Sequence, residues 1–323
     1  MKKEFPILDL RLPIDSESAP SYFPPAAGRQ SQITNAFTLI EVMVVVTLLS
    51  FIVLALMAVF NSTQSAFRAS ITQTDVLESG RAAMDMIADD LRGMSPSLGD
   101  ESAFDAAVNF YANTNQFQYL SQSAPLVQPL LASSGQSRTN VLENFFILSR
   151  GNVDGVPTWT GTGYYVDTVP ASGINPLYRY SMSTNLSAAN GPWQLFYYFT
   201  NAAFNHNFTG MSRLMDGVVT LRVRAYDPNG LWLTNGYGKN QFSTAQNVRF
   251  LPPGLGEVGM YMFSNTLPAS VEVDLATLED RTLQRAESLT GANQSAYLAQ
   301  QAGKVHVFRQ RVAVPNCDPS AYQ

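Results

Sequence analysis

The sequence predicts an α+β protein: one long N-terminal helix, its front half membrane-spanning and its rear half amphipathic, packed on a mostly antiparallel β-sheet domain. Three observations carry this. Residues 37–60, FTLIEVMVVVTLLSFIVLALMAVF, hold one charge, Glu41, and no ionisable side chain follows until Arg68. No proline interrupts the chain between Phe37 and Ser95, and Gly80 is the only glycine before Gly93. From residue 97 the composition turns to Asn, Ser, Gly, Gln and aromatics in short alternating segments.

The front segment comes first. A continuous apolar run of about 20 residues crosses the hydrocarbon core as a helix, because a helix satisfies its own backbone groups. A buried helix of that length in a soluble protein would show a polar face, and this one does not. A carboxylate inside a spanning segment costs about 2.5–3.5 kcal/mol on insertion scales, and such a group is normally paired and functional. Glu41 is therefore a candidate functional residue. Residues 1–36 read as a leader with breakers at Pro20, Pro24, Pro25 and Gly28 and no structural period.

Beyond Asn61 the pattern becomes amphipathic. Leu77, Gly80, Met84, Ile87 and Leu91 follow alternating steps of three and four, which puts them on one stripe. We assign Leu77, Met84, Ile87 and Leu91 to helix–sheet packing. Glu78, Arg81, Asp85, Asp89 and Arg92 occupy other faces, with Arg81–Asp85 and Asp89–Arg92 at pairing distance along the helix. Gly93 followed by Ser95-Pro96 stops it. The helix then runs from Phe37 to about Arg92, roughly 80 Å at 1.5 Å per residue. This divides the chain into a leader (1–36), a transmembrane helix (37–60), its amphipathic continuation (61–93) and a β-rich domain (94–323).

In the last part, Phe145–Leu148, Gly163–Val166, Leu177–Ser181, Trp193–Phe199, Val218–Tyr226, Val271–Leu275 and Val305–Val314 read as strands. Val219, Leu221, Val223 and Ala225 alternate with polar residues, as on a half-buried strand. Asp227-Pro228-Asn229-Gly230 is a turn that returns the chain into Leu231-Trp232-Leu233. No crossover helices appear between these segments, so the sheet is expected to be mostly antiparallel. Ser97–Ser137 and Glu279–Lys304 read as surface loops, the second with a short helix around Ala296–Gln301.

Composition narrows the function. The net charge is −5 with no basic patch, which argues against nucleic acid as a partner. The single cysteine, Cys317, rules out an intramolecular disulfide and reads as an incidental thiol in a C-terminal tail. Gly254-Leu255-Gly256-Glu257-Val258-Gly259 matches the dinucleotide pattern, but Pro252-Pro253 precedes it where a strand is needed, and a loop is the better reading. His206 and His306 lie a hundred residues apart with no Cys, Asp or Glu at metal-ligand spacing. Asp154-Gly155, Asp216-Gly217 and Asp227–Gly230 offer carboxylates to a calcium ion, but turn formation explains all three. No nucleophile setting is visible. We therefore expect no catalytic residues, no cofactor and no metal.

The string Asn35-Ala36-Phe37-Thr38-Leu39-Ile40-Glu41 resembles the prepilin cleavage and methylation motif of type IV pilins and type II secretion pseudopilins. The order Tyr164-Tyr165-Val166, Leu177-Tyr178-Arg179, Leu214 to Val218 and Leu267 to Val273 is similar to minor pseudopilin J and the PilW-like minor pilins, over about half of the exported domain. The family usually has glycine before the cut, where this chain has the small residue Ala36. The resemblance implies that prepilin peptidase cuts between Ala36 and Phe37 and that Phe37 becomes N-methylated. It implies an inner-membrane, single-pass protein with a cytoplasmic N-terminus and a periplasmic domain, which later enters a pilus or pseudopilus. Partners would be the peptidase, other pilins or pseudopilins, and the inner-membrane assembly platform. Glu41 would neutralise the Phe37 amine of a neighbouring subunit. The implied function is a minor pilin or pseudopilin that primes or caps a filament. The alternative is a filament-tip adhesin or substrate-binding module acting through the exported domain. Secretion, pilus and competence machines all fit.

Overall fold

A computed structural model describes residues 38–98, 107–114, 128–129, 137–138, 141–167, 174–186, 191–234, 247–251 and 259–322. The leader and the Ala36–Phe37 bond lie outside the described residues. Helix α1 runs from Leu39 to Arg92 without interruption. The chain divides into two compact units, Met1–Asn61 and Ser62–Gln323.

In the first unit the described residues are Thr38 and the front of α1. Its side chains are exposed from Leu39 to Phe60, with Phe51 at 71% and Leu54 at 63%. Thr47 and Ser50 return their hydroxyl protons to the helix itself, at the carbonyls of Val44 and Val46 (both 2.8 Å). These two hydroxyls therefore need no water, as a lipid-facing helix requires. Among the described residues, α1 is the one helix long and apolar enough to cross a membrane.

The second unit holds the rear of α1 and an antiparallel sheet. In chain order the strands are β1 (Val108–Thr114), β2 (Gln128–Pro129), β3 (Ser137–Arg138), β4 (Glu143–Val153), β5 (Val156–Val166), β6 (Asn175–Asn185), β7 (Met211–Tyr226), β8 (Val248–Phe250), β9 (Met260–Phe263), β10 (Ser270–Leu278) and β11 (Val305–Ala313). Helix α2 (Trp193–Phe204) lies between β6 and β7 in the chain, and α3 (Asp280–Glu287) and α4 (Gly291–Ala299) between β10 and β11. Among the described residues, nine strands form one sheet in the order β11-β10-β7-β6-β5-β4-β1-β9-β8, while β2 and β3 pair separately. Every pairing between these strands is antiparallel. The protein is therefore α+β, with a long N-terminal helix and a large sheet.

Strand alternation sorts the sheet's two faces. On one, Phe110, Phe145, Ile147, Tyr164, Val166, Leu221, Val223, Val273 and Leu275 form a core with Met84, Ile87, Ala88 and Leu91 of α1. On the other, Phe146, Leu148, Tyr165 and Tyr180 pack under Leu195, Phe199 and Ala203 of α2. Further along that face, Leu278 joins Leu283 and Ala286 of α3 and Leu298 of α4. The β4–β5 turn is Asp154-Gly155, both with positive φ (52° and 81°), the left-handed pair that a tight hairpin requires.

Four readings change. Trp193–Phe199 is helical, as the front of α2. Its aromatics suggested a strand, but Leu195, Phe199 and Ala203 stand four apart and bury together. Ser97–Ser137 is not all surface loop, because β1 lies inside the sheet between β4 and β9. Both faces of β1 are buried, including Asn109, so its sequence shows no polar alternation. Glu279–Lys304 holds two helices, and the second starts at Gly291 and ends at Ala299, before the expected position. The C-terminal stretch is no loose tail: Asn316 Nδ2 donates to the Met94 carbonyl just past α1 (2.6 Å), and Tyr322 Oη donates to the Leu267 carbonyl (2.6 Å).

Candidate functional site

The head of α1 holds the one charged side chain of the apolar segment. Thr38 precedes the helix and Glu41 is its third residue, so the two stand at capping-box spacing. The Thr38 backbone N–H donates to Glu41 Oε2 (2.8 Å), and the Thr38 hydroxyl donates to the same oxygen (2.9 Å). The Glu41 N–H lies 3.4 Å from Thr38 Oγ1, completing the reciprocal box. The Thr38 amide is thereby satisfied, the Glu41 amide is shared with the Thr38 carbonyl (3.0 Å), and the carboxylate sits at the positive end of the helix dipole. Glu41 is exposed, and Oε1 points to no group of the described chain. The T-x-x-E spacing is the sequence signal for this box, which the expectation of an intersubunit partner for the carboxylate did not include.

The rear of α1 is fixed to the sheet by an apolar stripe and one polar clasp. Ile87 and Leu91 are fully buried and Met84 nearly so, each worth about 1.5–3 kcal/mol of burial. Leu77 is only half-buried, and its neighbour Val76 takes the covered position. Gly80 is required by close approach: a β-carbon there would overlap the Phe308 ring of β11. That accounts for a residue costing about 1 kcal/mol within a helix. In the clasp, Arg179 of β6 grips Asp90 with both arms, Nε to Oδ2 (2.8 Å) and Nη2 to Oδ1 (2.9 Å). The Tyr164 hydroxyl of β5 donates to Asp90 as well. Burial pushes the Tyr164 phenol up, and the Asp90 carboxylate adds to the effect. The hydrogen bonds to Asp90 raise the Arg179 guanidinium further above its ordinary range. Sequence reasoning placed Tyr164 and Arg179 in strands and missed their junction with Asp90, because the three lie far apart in the chain. The exposed Asp89–Arg92 pair (2.6 Å) adds little beside them.

Other chemistry resolves into structural roles. The residue after the glycine pattern opens strand β9, whereas a dinucleotide fingerprint leads into a helix; residues 254–258 lie outside the described residues. His206 Nδ1 lies 3.4 Å from Asp167 Oδ1, and His306 Nε2 lies 3.3 Å from Glu279 Oε1. Asp216 pairs with Arg213, and Asp227 accepts from the Leu231 N–H (2.7 Å) within its turn. Among the described residues, no three His, Cys, Asp or Glu side chains are placed to hold a metal ion. The Cys317 thiol is half-buried, donates to the Leu267 carbonyl (3.2 Å), and is pushed up to about 11 by burial. A thiol so protonated at neutral pH is a poor nucleophile.

The arrangement thus offers a helix front that no other described residue covers, a carboxylate at its head, and a rear half locked to a sheet. A comparison of the chain with protein-family models, curated proteins and solved structures finds no match.

Proposed function

We propose that this chain is a minor pilin or pseudopilin, a structural and assembly subunit of a type IV pilus-like filament or a type II secretion pseudopilus. The observation that carries the reading is the string from Phe37 to Val42, FTLIEV, at the head of a helix whose next eighteen residues are apolar or hydroxyl-bearing and wholly exposed. Lipid would cover that surface before assembly, and neighbouring helices would cover it afterwards. Prepilin peptidase would cut before Phe37 and methylate the new amine, and Glu41 of one subunit would offset that amine on another. The domain after Gly93 would lie in the periplasm, anchored by one inner-membrane helix, and the assembly platform would load it. No catalytic activity is assigned to it.

The deciding test is the mass of the mature N-terminus in protein extracted from membranes of cells with an active prepilin peptidase. The expected product starts at Phe37 with one added methyl group. An intact leader, or an N-terminus after Phe60, overturns the reading.

A second reading, a tip adhesin or substrate-binding module, is favoured by the outer face of α2. Tyr197, Tyr198 and Phe204 are exposed there at 55%, 41% and 78%. Retention of the protein on immobilised polysaccharide, lost in a Tyr197→Ala, Phe204→Ala double variant, would support it. Equal retention of both proteins would discard it.

A further inference from the structure

The sheet ends at β11, which pairs with β10 on one side and, among the described residues, with no strand on the other. On the face away from α1, the cross-strand register sets side chains in rows. Arg222 of β7 faces Asp274 of β10, which faces Arg309 of β11; Arg224 faces Glu272, which faces Arg311. Arg309 is paired with Asp274, and Arg224 Nη1 lies 3.5 Å from Glu272 Oε1. Each row therefore reads positive, negative, positive towards the open edge. The two rows hold four guanidiniums against two carboxylates, an excess of two positive charges in a chain of net charge −5.

The two edge members are also the most available: Arg309 and Arg311 are exposed. The Arg311 guanidinium carbon lies over the Tyr226 ring, 3.8 Å from its centroid, and its Nε donates to Ser270 Oγ (2.9 Å). Its guanidinium is thus held in place over the sheet and still faces solvent. One step along the same face, Val307 is 52% exposed. Side chains two apart on a strand recur about every 6.6–6.8 Å, and the next strand would lie about 4.8 Å away. Charge on an edge ordinarily prevents indiscriminate pairing. Here the alternation across three strands also specifies what a fourth would carry.

We propose that the β11 edge is a docking site for an extended acidic segment of a partner protein, which adds as an antiparallel strand. Its pattern is acidic-x-acidic-x-apolar from its N-terminus, opposing Arg311, Arg309 and Val307 in turn. Main-chain hydrogen bonds give affinity in this mode and the facing side chains give specificity. Opposite charges directly across a strand pair are favourable and like charges are not. The segment would bring the excess of positive charge on the two rows to zero. This inference stands apart from the filament reading, since it uses only the sheet.

The test measures fluorescence anisotropy with the full chain in non-ionic detergent and the fluorescein-labelled peptide TTETETVTT. Controls are TTKTKTVTT and versions of the glutamate peptide N-methylated at alternate amides, in either phase. Saturable binding of the glutamate peptide is expected, at least tenfold tighter than the lysine peptide and at least tenfold weaker in one of the two methylated phases. The Arg309→Glu, Arg311→Glu protein should reverse the preference between the peptides. The milder Arg309→Gln, Arg311→Gln protein, which introduces no carboxylate beside Asp274, should lose at least tenfold for the glutamate peptide. Equal binding of the two peptides, binding of neither, unchanged binding in both methylated phases, or unchanged binding to the glutamine protein overturns the proposal.

Discussion

Glu41 meets two demands that a substitution can separate. In the single chain it accepts both Thr38 protons, and in a filament it would face an ammonium group. Glutamine preserves a capping box but carries no charge, whereas alanine removes both. Glu41→Ala and Glu41→Gln should both keep membrane residence, because each makes the segment less costly to insert, and leader removal, because the cut before Phe37 lies upstream of this side chain. Both should fail to enter filaments, since breaking a buried charge pair is worth about 3–5 kcal/mol, more than a hundredfold in occupancy. Cross-linked or sheared filaments probed for this subunit give the answer. Incorporation of the Gln variant at wild-type level would mean that the cap, and not the charge, matters. Asp280 gives a second test at this scale. Burial, with Asp216 and Asp75 close by, raises its carboxyl above the ordinary value. Folding therefore favours its protonated form. Its charge opposes folding at pH above the folded value, and the penalty disappears as pH falls below the unfolded one. Asp280→Asn is expected to raise the melting temperature at pH 7 and leave it unchanged at pH 3, as read by thermal scans of the detergent-solubilised chain.

At the scale of elements, the sheet holds α1 by its rear stripe. Ile87 has no solvent exposure. Ile87→Asp would remove its apolar burial and place an unpaired charge among Met84, Leu91 and the strand residues beneath, a cost of several kcal/mol. The expected result is a melting temperature lower by about 10 °C or more; a change of a degree or two would mean that the helix does not depend on this contact. The stripe could be read from sequence because a 3.6-residue period survives wherever one face is wet. Strand β1 could not, since Asn109 and Tyr111 are as buried as Phe110 and a strand covered on both sides has no period to show. Helix α2 was hidden by its own aromatics, which favour strands in the open but here fill the space over β5. Gly163 belongs to that arrangement: a β-carbon there would overlap the Phe199 ring. The head of α1 was legible as a motif, and the Thr38 box has a local signal in its T-x-x-E spacing, while the Asp90–Arg179–Tyr164 clasp was not legible. A clasp between groups up to 89 residues apart leaves no trace in local spacing.

For the whole molecule, the division at Ser62 is a statement about independence. A fragment of residues 62–323 retains the buried stripe, the clasp and every strand, and sheds the apolar segment. It is expected to be soluble and to unfold in one cooperative transition; aggregation in the absence of detergent would show that the front of α1 contributes to the fold beyond anchoring.

The bond from Asn316 to Met94 spans 222 residues of chain, and Asn109 reaches Thr266 across 157. Contacts so distant in sequence close slowly, because the entropy of looping must be overcome before they contribute. β1 receives its second neighbour only once β9 exists, and β10 receives its own only once β11 has emerged. During synthesis the stripe of α1 is therefore made before every strand that covers it. Translation elongates at about 5–20 residues per second, so on the order of ten seconds or more separates the birth of Leu91 from that of Asn316. Until those strands are complete, a nascent chain would present Met84, Ile87 and Leu91 to a holdase or protease. The yield of this protein in cells is thus expected to depend on that interval as well as on equilibrium stability.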